Sequence, residues 1–322
     1  MKVVVLDDWN QVWESAEPIK RLRERAEVVV YTDAAGSEDE TAGRLAGATV
    51  VVANRERTRF TKSLFERTSE LRLIAQTGTG IAHIDAPAAT ERGIAIATTP
   101  GGSTASVAEL TIGLMIAVFR QLGANDAAMH RGEWPMPVTR QLGGKTLGLV
   151  GLGSIGSATA KIARAMDMKL LATGFSLTPE RAVTQGAKAV SLDELMGESD
   201  VVSIHLRLSE KSRGLISAER LSRMKSSAIL VNTARGAIVD EPALVEALRS
   251  GRIAGAGLDV FVTEPLPENN PFRELPTVVM TPHIGWITEE AYDAFVTNSV
   301  KNITTFMDGE PTNVKFPEAL RR

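Results

Sequence analysis

Cysteine is absent from the 322-residue chain. Disulfide bonds and thiolate chemistry are therefore excluded, and a cytoplasmic location is the expected one. Net charge is also small, because 36 basic and 39 acidic residues leave −3 at pH 7. Such a balance lacks the basic surface that nucleic acid or an anionic membrane attracts, so we expect neither partner.

Long hydrophobic runs are missing as well. The longest, LTIGLMIAVF at 110–119, is too short to cross a bilayer. The first residues, MKVVVLDDW, place acidic side chains after only four apolar ones, which is typical of a strand rather than a signal peptide. No two His or acidic residues show metal-ligand spacing, so we predict no metal site.

Short apolar runs alternate with charged segments of helical period along most of the chain. The predicted strands are 3–7, 27–32, 49–53, 71–76, 94–97, 146–150, 169–173, 188–190, 200–204, 228–232, 254–259 and 277–280. This alternation predicts an α/β fold in which parallel sheets carry helices on both faces.

Two such alternating blocks meet near Gly101, and a helix predicted at about 288–308 is long enough to return to the first block. We therefore predict two doubly wound parallel-sheet domains with a cleft between them. Residues 1–100 plus 290–322 would form a discontinuous substrate domain, and residues 101–289 a dinucleotide-binding domain. Two unrelated tandem domains are the alternative, which the short carboxyl-terminal segment disfavours.

A helix predicted at 104–121 is apolar nearly all round, more than one neighbouring sheet requires. We take this as a sign of a homodimer. Burial of the helix between the two domains is the alternative.

The segment GKTLGLVGLGSIG at 144–156 is typical of a strand, a glycine turn and the start of a helix. Gly151, Gly153 and Gly156 fit the G-x-G-x-x-G fingerprint of dinucleotide-binding folds. The amides of Ser154 and Ile155 would then point at the pyrophosphate from a helix amino terminus. We therefore predict a nicotinamide dinucleotide cofactor.

The choice between NAD and NADP depends on the end of the next strand. An acid about twenty residues after the fingerprint normally binds the ribose 2′-hydroxyl of NAD, but Gly174 stands there. Ser176 and Thr178 offer only neutral hydrogen bonds to a 2′-phosphate, and whether Arg181 reaches it stays open. We expect both NAD and NADP to be usable, with NADP modestly favoured.

Three polar residues follow predicted strands on loops that contain Pro or Gly: Arg235 in VNTARGAIVD, Glu264 in GLDVFVTEPLP and His283 in VVMTPHIGW. In open α/β sheets, ligands bind outside the carboxyl ends of the strands. Arg235 can hold a carboxylate through two hydrogen bonds, His283 can protonate a carbonyl oxygen, and Glu264 can stabilise the imidazolium. Each residue alone also fits a structural role, but together they predict a catalytic site.

The other histidines give weaker signals. His205 ends the strand DVVSIH and is expected near the cofactor, where a structural role is equally open. His83 and His130 carry no predicted role.

Several of these segments resemble the NAD(P)-dependent D-isomer-specific 2-hydroxyacid dehydrogenases, and the resemblance covers nearly the whole chain. The matching segments are GKTLGLVGLGSIG, VNTARGAIVDEPALVEAL, GAGLDVFVTEPLP and TPHIGW. The resemblance implies a flavodoxin-like substrate domain and a Rossmann cofactor domain, usually in a homodimer. It also implies that Arg235 binds the carboxylate of a small 2-oxo or D-2-hydroxy acid, with His283 as acid/base and Glu264 as its partner.

By the same resemblance, QTGTGIAHID at 76–85 is a substrate loop. The amides of Gly78, Thr79 and Gly80 would meet the carboxylate and the nicotinamide, and Arg55 matches a position that often faces the cleft. The remaining predicted cofactor contacts are His205, Leu206, Thr233, Ala234, Asp259 and Gly285.

Three residues depart from the family pattern: Gly174 replaces the acid, Arg207 replaces a Pro, and Trp286 replaces a small residue. The substrate stays open among glyoxylate, hydroxypyruvate and bulkier 2-oxo acids. Oxidation of phosphite is the alternative within enzymes, whereas formate is disfavoured because formate-specific relatives carry Gln in place of Glu264. A dinucleotide-sensing binding protein of the same fold is the alternative outside enzymes.

Overall fold

The computed structural model describes residues 1–321. The chain divides into two compact units. Unit 1 comprises Met1–Ser103 together with the segment that begins at Thr288, and unit 2 comprises Thr104–Ile287. One unit is thus discontinuous and the other continuous in sequence, while the substrate and cofactor roles of the two parts stay predictions.

The first part of unit 1 alternates strictly between strands and short helices. Its elements are β1 (Lys2–Val5), α1 (Glu17–Arg23), β2 (Glu27–Val30), α2 (Glu38–Arg44), β3 (Val50–Ala53), α3 (Lys62–Arg67), β4 (Leu73–Gln76), α4 (Ala86–Glu91) and β5 (Ala95–Thr98).

Unit 2 begins with two successive helices and then alternates in the same way. Its elements are α5 (Thr104–Arg120), α6 (Leu122–His130), β6 (Thr146–Val150), α7 (Ser154–Ala165), β7 (Lys169–Thr173), α8 (Pro179–Thr184), β8 (Lys188–Ala189), α9 (Leu192–Glu198), β9 (Val201–Ile204), α10 (Ala218–Arg223), β10 (Ile229–Asn232), α11 (Glu241–Arg249), β11 (Gly255–Leu258) and β12 (Val278–Met280). The chain then returns to unit 1 as α12 (Glu289–Met307), and 3₁₀ helices span Gly236–Ile238, Pro271–Glu274 and Pro317–Arg321.

The sheet of unit 1 has the order β2-β1-β3-β4-β5, and all its strand pairs are parallel. This is the flavodoxin-like strand order. Every residue of β3, β4 and β5 is buried, as expected for parallel strands covered on both faces. Val296, Val300 and Ile303 of α12 belong to the core that covers one face of this sheet.

The sheet of unit 2 has the order β12-β11-β10-β9-β6-β7-β8, again with parallel pairs throughout. Read from β8, this is the classic Rossmann order extended by one strand. The carboxyl end of β6 lies between those of β7 and β9, so the segment after β6 occupies the point where the strand order reverses. The prediction of an α/β fold with two doubly wound parallel sheets is confirmed.

The apolar helix α5 packs inside unit 2, against α7, β10 and β11. Its buried hydrophobic side chains include Val107, Ile112, Leu114, Met115 and Phe119. The apolar character of α5 is therefore explained without a second subunit, and it no longer supports the predicted homodimer.

Helix α6 has no counterpart among the sequence predictions. It follows Gln121, whose φ of 52° lies in the left-handed region and turns the chain away from α5. Within residues 121–140, only Ala128 is buried. Across the described chain no single helix is long and apolar enough to span a membrane, and α5 and α6 pass that test only as a pair bent by 65°.

Candidate active site

The three predicted catalytic residues lie on three loops at the carboxyl edge of the unit 2 sheet. Arg235 follows β10, Glu264 follows β11 and His283 follows β12, and these strands are neighbours. The imidazole Nδ1 of His283 lies 2.7 Å from Oε2 of Glu264. The two side chains are 30% and 34% exposed, so a ligand can reach the pair. A neutral imidazole that donates through Nδ1 presents Nε2 for proton exchange.

Glycine brings the Arg235 loop against the Glu264 loop. A Cβ on Gly236 would lie 2.0 Å from the carbonyl carbon of Phe261, so only glycine permits this backbone approach. On the other side of Arg235, the Asn232 side chain accepts from the Ala234 amide and donates to the Arg235 carbonyl, both at 3.0 Å. The turn around Arg235 is thus fixed by its neighbours.

The electrostatics of the site favour an ionised Glu264. Burial tends to raise the pKa of this carboxyl, and the hydrogen bond and charge of His283 oppose it. The Phe261 amide, 2.9 Å from Oε1, and the positive charge of Arg235 act in the same direction. The pKa of Glu264 is therefore held below its usual range, and a carboxylate faces the imidazole at neutral pH.

Asp259, directly after β11, holds the loop that carries His283. Its Oδ1 accepts from the Thr281 hydroxyl at 2.6 Å and the Ile284 amide at 2.8 Å, while Oδ2 accepts from the Gly285 amide at 2.9 Å. Burial raises the pKa of Asp259, partly offset by these hydrogen bonds. His283 itself has a φ of 56°, a left-handed conformation that persists because its surroundings fix it.

The glycine loop after β6 forms a tight backbone cradle. Gly151 has a φ of 106°, and a Cβ on Gly156 would lie only 2.2 Å from the Gly151 carbonyl oxygen. A Cβ on Gly153 would have no heavy atom within 4 Å, so this glycine leaves open space above the start of α7. No side chain caps α7, and the amides of Ser154 and Ile155 lie in its first turn. The loop therefore fits a dinucleotide pyrophosphate, which needs close backbone approach and free amides.

Beside this loop, the turn after β7 carries Gly174. A Cβ there would lie 3.5 Å from the Leu177 Cβ and 3.8 Å from the Gly151 Cα, an ordinary packing distance. Arg181, in the first turn of α8, reaches back to this turn and donates from Nη1 to the Ser176 carbonyl at 3.1 Å. Its guanidinium makes no ion pair within residues 1–321.

His205 and Leu206 flank the glycine loop on the β9 side. A Cβ on Gly151 would lie 2.8 Å from the His205 carbonyl carbon and 3.1 Å from Cδ2 of Leu206. The Nε2 of His205 is 2.9 Å from the Ser203 hydroxyl. Burial lowers the pKa of His205 to about 4, so the ring is neutral near pH 7. The structure thus gives His205 a definite packing partner at the predicted cofactor loop.

Thr233 and Ala234 are the first residues after β10. The Thr233 hydroxyl lies 2.9 Å from the hydroxyl of Thr111 on α5, which in turn donates to the Val107 carbonyl. Thr233 is buried and Ala234 half-buried.

The predicted substrate residues of unit 1 lie together at the carboxyl edge of its own sheet. Arg55 has a φ of 60°, and its Nη1 would be only 2.3 Å from a Cβ on Gly78. The Gly78 amide donates to the Thr99 hydroxyl at 2.6 Å. The amides of Thr79 and Gly80 make no hydrogen bond within the described chain. These two amides are therefore available to an anionic ligand.

One residue without a predicted role proves to be part of this network. His83 is hydrogen-bonded to Gln76, whose side chain also contacts the backbone of Arg55. Its only sequence signal is its place within the predicted substrate loop. Over residues 1–321, no three His, Asp or Glu side chains are grouped so that they could hold a metal ion.

Comparison with known proteins gives a consistent family. The model of the family described as "D-isomer specific 2-hydroxyacid dehydrogenase, NAD binding domain" matches residues 112–285. The chain is 38% identical over 313 residues to the D-3-phosphoglycerate dehydrogenase of Methanocaldococcus jannaschii, covering 96% of this chain and 58% of that protein. It is 33% identical over 329 residues to the hydroxypyruvate reductase of Blautia hydrogenotrophica, covering 98% and 99%.

Among solved structures, the TT0316 protein from Thermus thermophilus has a TM-score of 0.90 at 38% identity, covering 98% of this chain and 100% of that one. The chain therefore spans just over half of the length of the M. jannaschii protein but nearly all of the other two.

Proposed function

Because the chain belongs to the D-isomer-specific 2-hydroxyacid dehydrogenase family, we propose that it transfers a hydride between a nicotinamide dinucleotide and a small 2-oxo or D-2-hydroxy acid. The observation that carries this proposal is the hydrogen-bonded His283–Glu264 pair beside Arg235. The pair offers proton exchange and the guanidinium offers carboxylate binding. Reduction of a 2-oxo acid needs both.

In the proposed reduction, Arg235 binds the substrate carboxylate through its planar fork. His283 donates a proton from Nε2 to the 2-oxo oxygen, and ionised Glu264 stabilises the charge of the ring. A bound reduced nicotinamide would supply the hydride that the carbonyl carbon accepts. In the opposite direction His283 accepts the proton of the hydroxyl group.

We assign further contacts to residues in the loops that follow strands and in the first turn of α7. The cofactor contacts are proposed for Gly151, Gly153, Ser154, Ile155, Gly156, Gly174, His205, Leu206, Thr233, Ala234, Asp259 and Gly285, and the substrate contacts for Arg55, Gly78, Thr79 and Gly80. The uncapped start of α7 and the available amides of Thr79 and Gly80 support these assignments.

For the cofactor, we propose that NAD and NADP are both used and that NADP is modestly favoured. Gly174 provides no carboxylate to repel a 2′-phosphate, and Arg181 reaches the same turn. Arg181→Ala is expected to weaken NADPH binding about tenfold and to leave NADH binding nearly unchanged, since a charge-assisted bond contributes about 1.5–3 kcal/mol.

Fluorescence titration of each reduced cofactor measures this difference. The matched control is Arg252→Ala. Arg252 also donates to a backbone carbonyl, that of Ser222, but it precedes β11 and so lies at the amino ends of the strands, opposite to the glycine loop. Equal losses for both cofactors in Arg181→Ala would contradict the assignment.

We also propose a homodimer, now on a different surface from α5. Trp134, Met136 and Val138 are 77%, 83% and 100% exposed, and they lie together in the exposed segment 121–140. Three large apolar side chains this exposed within five residues of sequence are the observation that supports an interaction surface here. The cytoplasmic location stays a prediction.

The proposed function is tested by turnover of a panel of 2-oxo acids, including glyoxylate, hydroxypyruvate and bulkier side chains, with NADH and with NADPH. Reduction of at least one member, lost in His283→Ala, is the expected result. Tight dinucleotide binding with no turnover across the panel would instead support a dinucleotide-sensing protein and contradict the enzyme.

A further inference from the structure

The buried amide of Gln76 is the starting point. Gln76 ends β4 and is only 1% exposed, so its polar atoms must find partners inside the protein. Its Nε2 donates to the carbonyls of Arg55 at 3.0 Å and Thr77 at 2.8 Å. Its Oε1 lies 3.1 Å from Nε2 of His83. Both N–H groups and the oxygen of this amide are therefore hydrogen-bonded to the loops around the proposed substrate residues.

His83 and the two backbone carbonyls together fix which way the amide points. Because Oε1 of Gln76 can only accept, Nε2 of His83 must carry the proton. A flipped amide would direct its oxygen at two carbonyls, which is repulsive whichever tautomer His83 adopts. Burial, together with the charge of Arg55, lowers the pKa of His83 to about 4 despite the opposing charge of Glu56, so the ring remains a neutral donor.

The other contacts of the His83 ring are consistent with its role as a hydrogen-bond donor to Gln76. Its Nδ1 is buried and has no hydrogen-bond partner in the described part of the chain. The ring meets Phe60 edge-on, with centroids 6.2 Å apart. An imidazolium here would place a second N–H against apolar surroundings, so the site suits only the tautomer that donates to Gln76.

The amide in turn fixes a strained backbone. Arg55 is in the left-handed region, which residues other than glycine occupy only when their surroundings hold them there. Gln76 binds its carbonyl, and the Arg55 amide donates to the Thr77 hydroxyl at 2.7 Å. The guanidinium then lies against Gly78, whose amide is held by Thr99.

We propose that His83 is a positioning residue for substrate binding: through the Gln76 amide it sets the direction of Arg55 and of the Gly78–Gly80 amides. This inference rests on the proposed substrate role of those residues. Its consequence is that His83 acts on substrate affinity and not on the chemical step, since Gln76 and Arg55, through which it acts, take no part in the proposed proton or hydride transfer.

The kinetic test compares His83→Leu with His83→Gln. Leucine removes the donor, whereas glutamine can place its own Nε2 near that of the imidazole. We expect His83→Leu to raise KM for the 2-oxo acid about tenfold, with kcat within about twofold and cofactor affinity unchanged, because a buried acceptor loses its partner. His83→Gln should return KM to within about threefold of the wild type, since the donor is kept.

The control is His130→Leu, the same substitution at an exposed histidine of unit 2 whose only ionic partner within residues 1–321 is Asp126. It should change neither KM nor kcat. Equal rises of KM in the Leu and Gln variants, or an unchanged KM in both, would overturn the proposal.

A second readout does not require turnover. The amides of Thr77 and Gly78 are hydrogen-bonded to the Ala53 carbonyl and the Thr99 hydroxyl. Hydrogen exchange at these two amides should accelerate in His83→Leu and recover in His83→Gln. If the wild type reduced no 2-oxo acid but exchange followed this pattern, the proposed function would fail while the positioning role of His83 would stand; if exchange were the same in all three proteins, the positioning role would fail.

Should His83→Leu not fold, His83→Asn takes its place in both measurements. Its amide is too short to reach Oε1 of Gln76, so it should behave as the leucine variant. A wild-type KM and wild-type exchange in His83→Asn would refute the role.

Discussion

The second and third glycines of the fingerprint, Gly153 and Gly156, should have different effects when each is replaced by alanine. A Cβ on Gly156 would lie 2.2 Å from the Gly151 carbonyl oxygen and 3.2 Å from its carbon. Both atoms belong to the backbone, so α7 or the glycine loop must move. A Cβ on Gly153 meets nothing within 4 Å, so the protein alone tolerates it.

The magnitudes follow from these distances. Overpacking against a rigid backbone costs about 1–3 kcal/mol, part of which the better helix propensity of alanine offsets by up to about 1 kcal/mol. A net loss of about 1–2 kcal/mol lowers Tm by about 2–8 °C in a unit of this size. Gly153→Ala loses only the preference of a helix N-cap for glycine over alanine, roughly 0.5 kcal/mol or about 1–2 °C.

Gly156→Ala should therefore lose more stability than Gly153→Ala, but Gly153→Ala should lose more affinity for the cofactor. In Gly153→Ala the new methyl would stand between the first amides of α7 and the pyrophosphate, and losing one charge-assisted hydrogen bond weakens binding about tenfold or more. Calorimetry of the cofactor-free protein and fluorescence titration with NADPH give the two quantities. Gly143→Ala is the control, because its Cβ would lie 3.5 Å from the Met166 carbonyl oxygen and 4.0 Å from Nε2 of Gln141, outside the proposed cofactor contacts, and should alter neither.

Two results would refute the reasoning. A wild-type Tm in Gly156→Ala would mean that α7 does not approach Gly151 as described. Unchanged NADPH affinity in Gly153→Ala would mean that the pyrophosphate does not bind at the start of α7.

The remaining predictions concern catalysis, pH and assembly. Glu264→Gln should lower kcat by roughly an order of magnitude or more without changing cofactor affinity, because a neutral amide does not stabilise the imidazolium; an unchanged kcat would count against the pairing with His283. Arg235→Lys should raise KM for the acid severely, since the planar fork is lost; loss of cofactor affinity instead would reverse the assignment. Resistance to urea should decline as pH falls from about 6.5 to about 4. The unfolded chain protonates His205 at its usual pKa, whereas the folded protein holds the ring neutral down to about 4, so the contribution of this ring to stability is full above 6.5 and lost towards 4. His205→Gln should show a smaller decline, and an identical decline would be evidence against a depressed pKa. Light scattering should give a dimer that Val138→Asp disrupts, whereas Val183→Asp, at a side chain that is 70% exposed on α8, should not; a monomeric wild type at micromolar concentration would rule the dimer out.

Most of the fold could be predicted because parallel strands buried on both faces read as continuous apolar runs. All twelve strands occur at the predicted places, with ends displaced by at most two residues, as at β1, where the predicted strand runs to Asp7. Helix α6 was beyond such reasoning because residues 121–140 are almost wholly exposed and show no apolar stripe. The surface against which α5 packs could not be predicted either, because a helix that is apolar all round packs equally well inside a unit or against a partner subunit.

The candidate site, too, could be predicted from the sequence only in part. Arg235, Glu264 and His283 could be proposed together because each follows a predicted strand, and neighbouring parallel strands end at one edge. The contacts between His83, Gln76 and Arg55 could not, because they join a buried amide to loops that approach only in the folded protein. The three hydrogen bonds that Asp259 accepts from the His283 loop are hidden for the same reason.

The interrupted sequence of unit 1 has a consequence for the order in which the protein is made. Val3, Val5 and Val50 of its sheet share a core with Val296 and Ile303 of α12, which leave the ribosome only after all of unit 2 has been synthesised. Unit 2 is continuous and can complete its sheet while the first 103 residues still lack this cover. During that interval an apolar sheet face stays open to chaperones and to aggregation, so the yield of folded protein should depend on how fast the ribosome reaches α12.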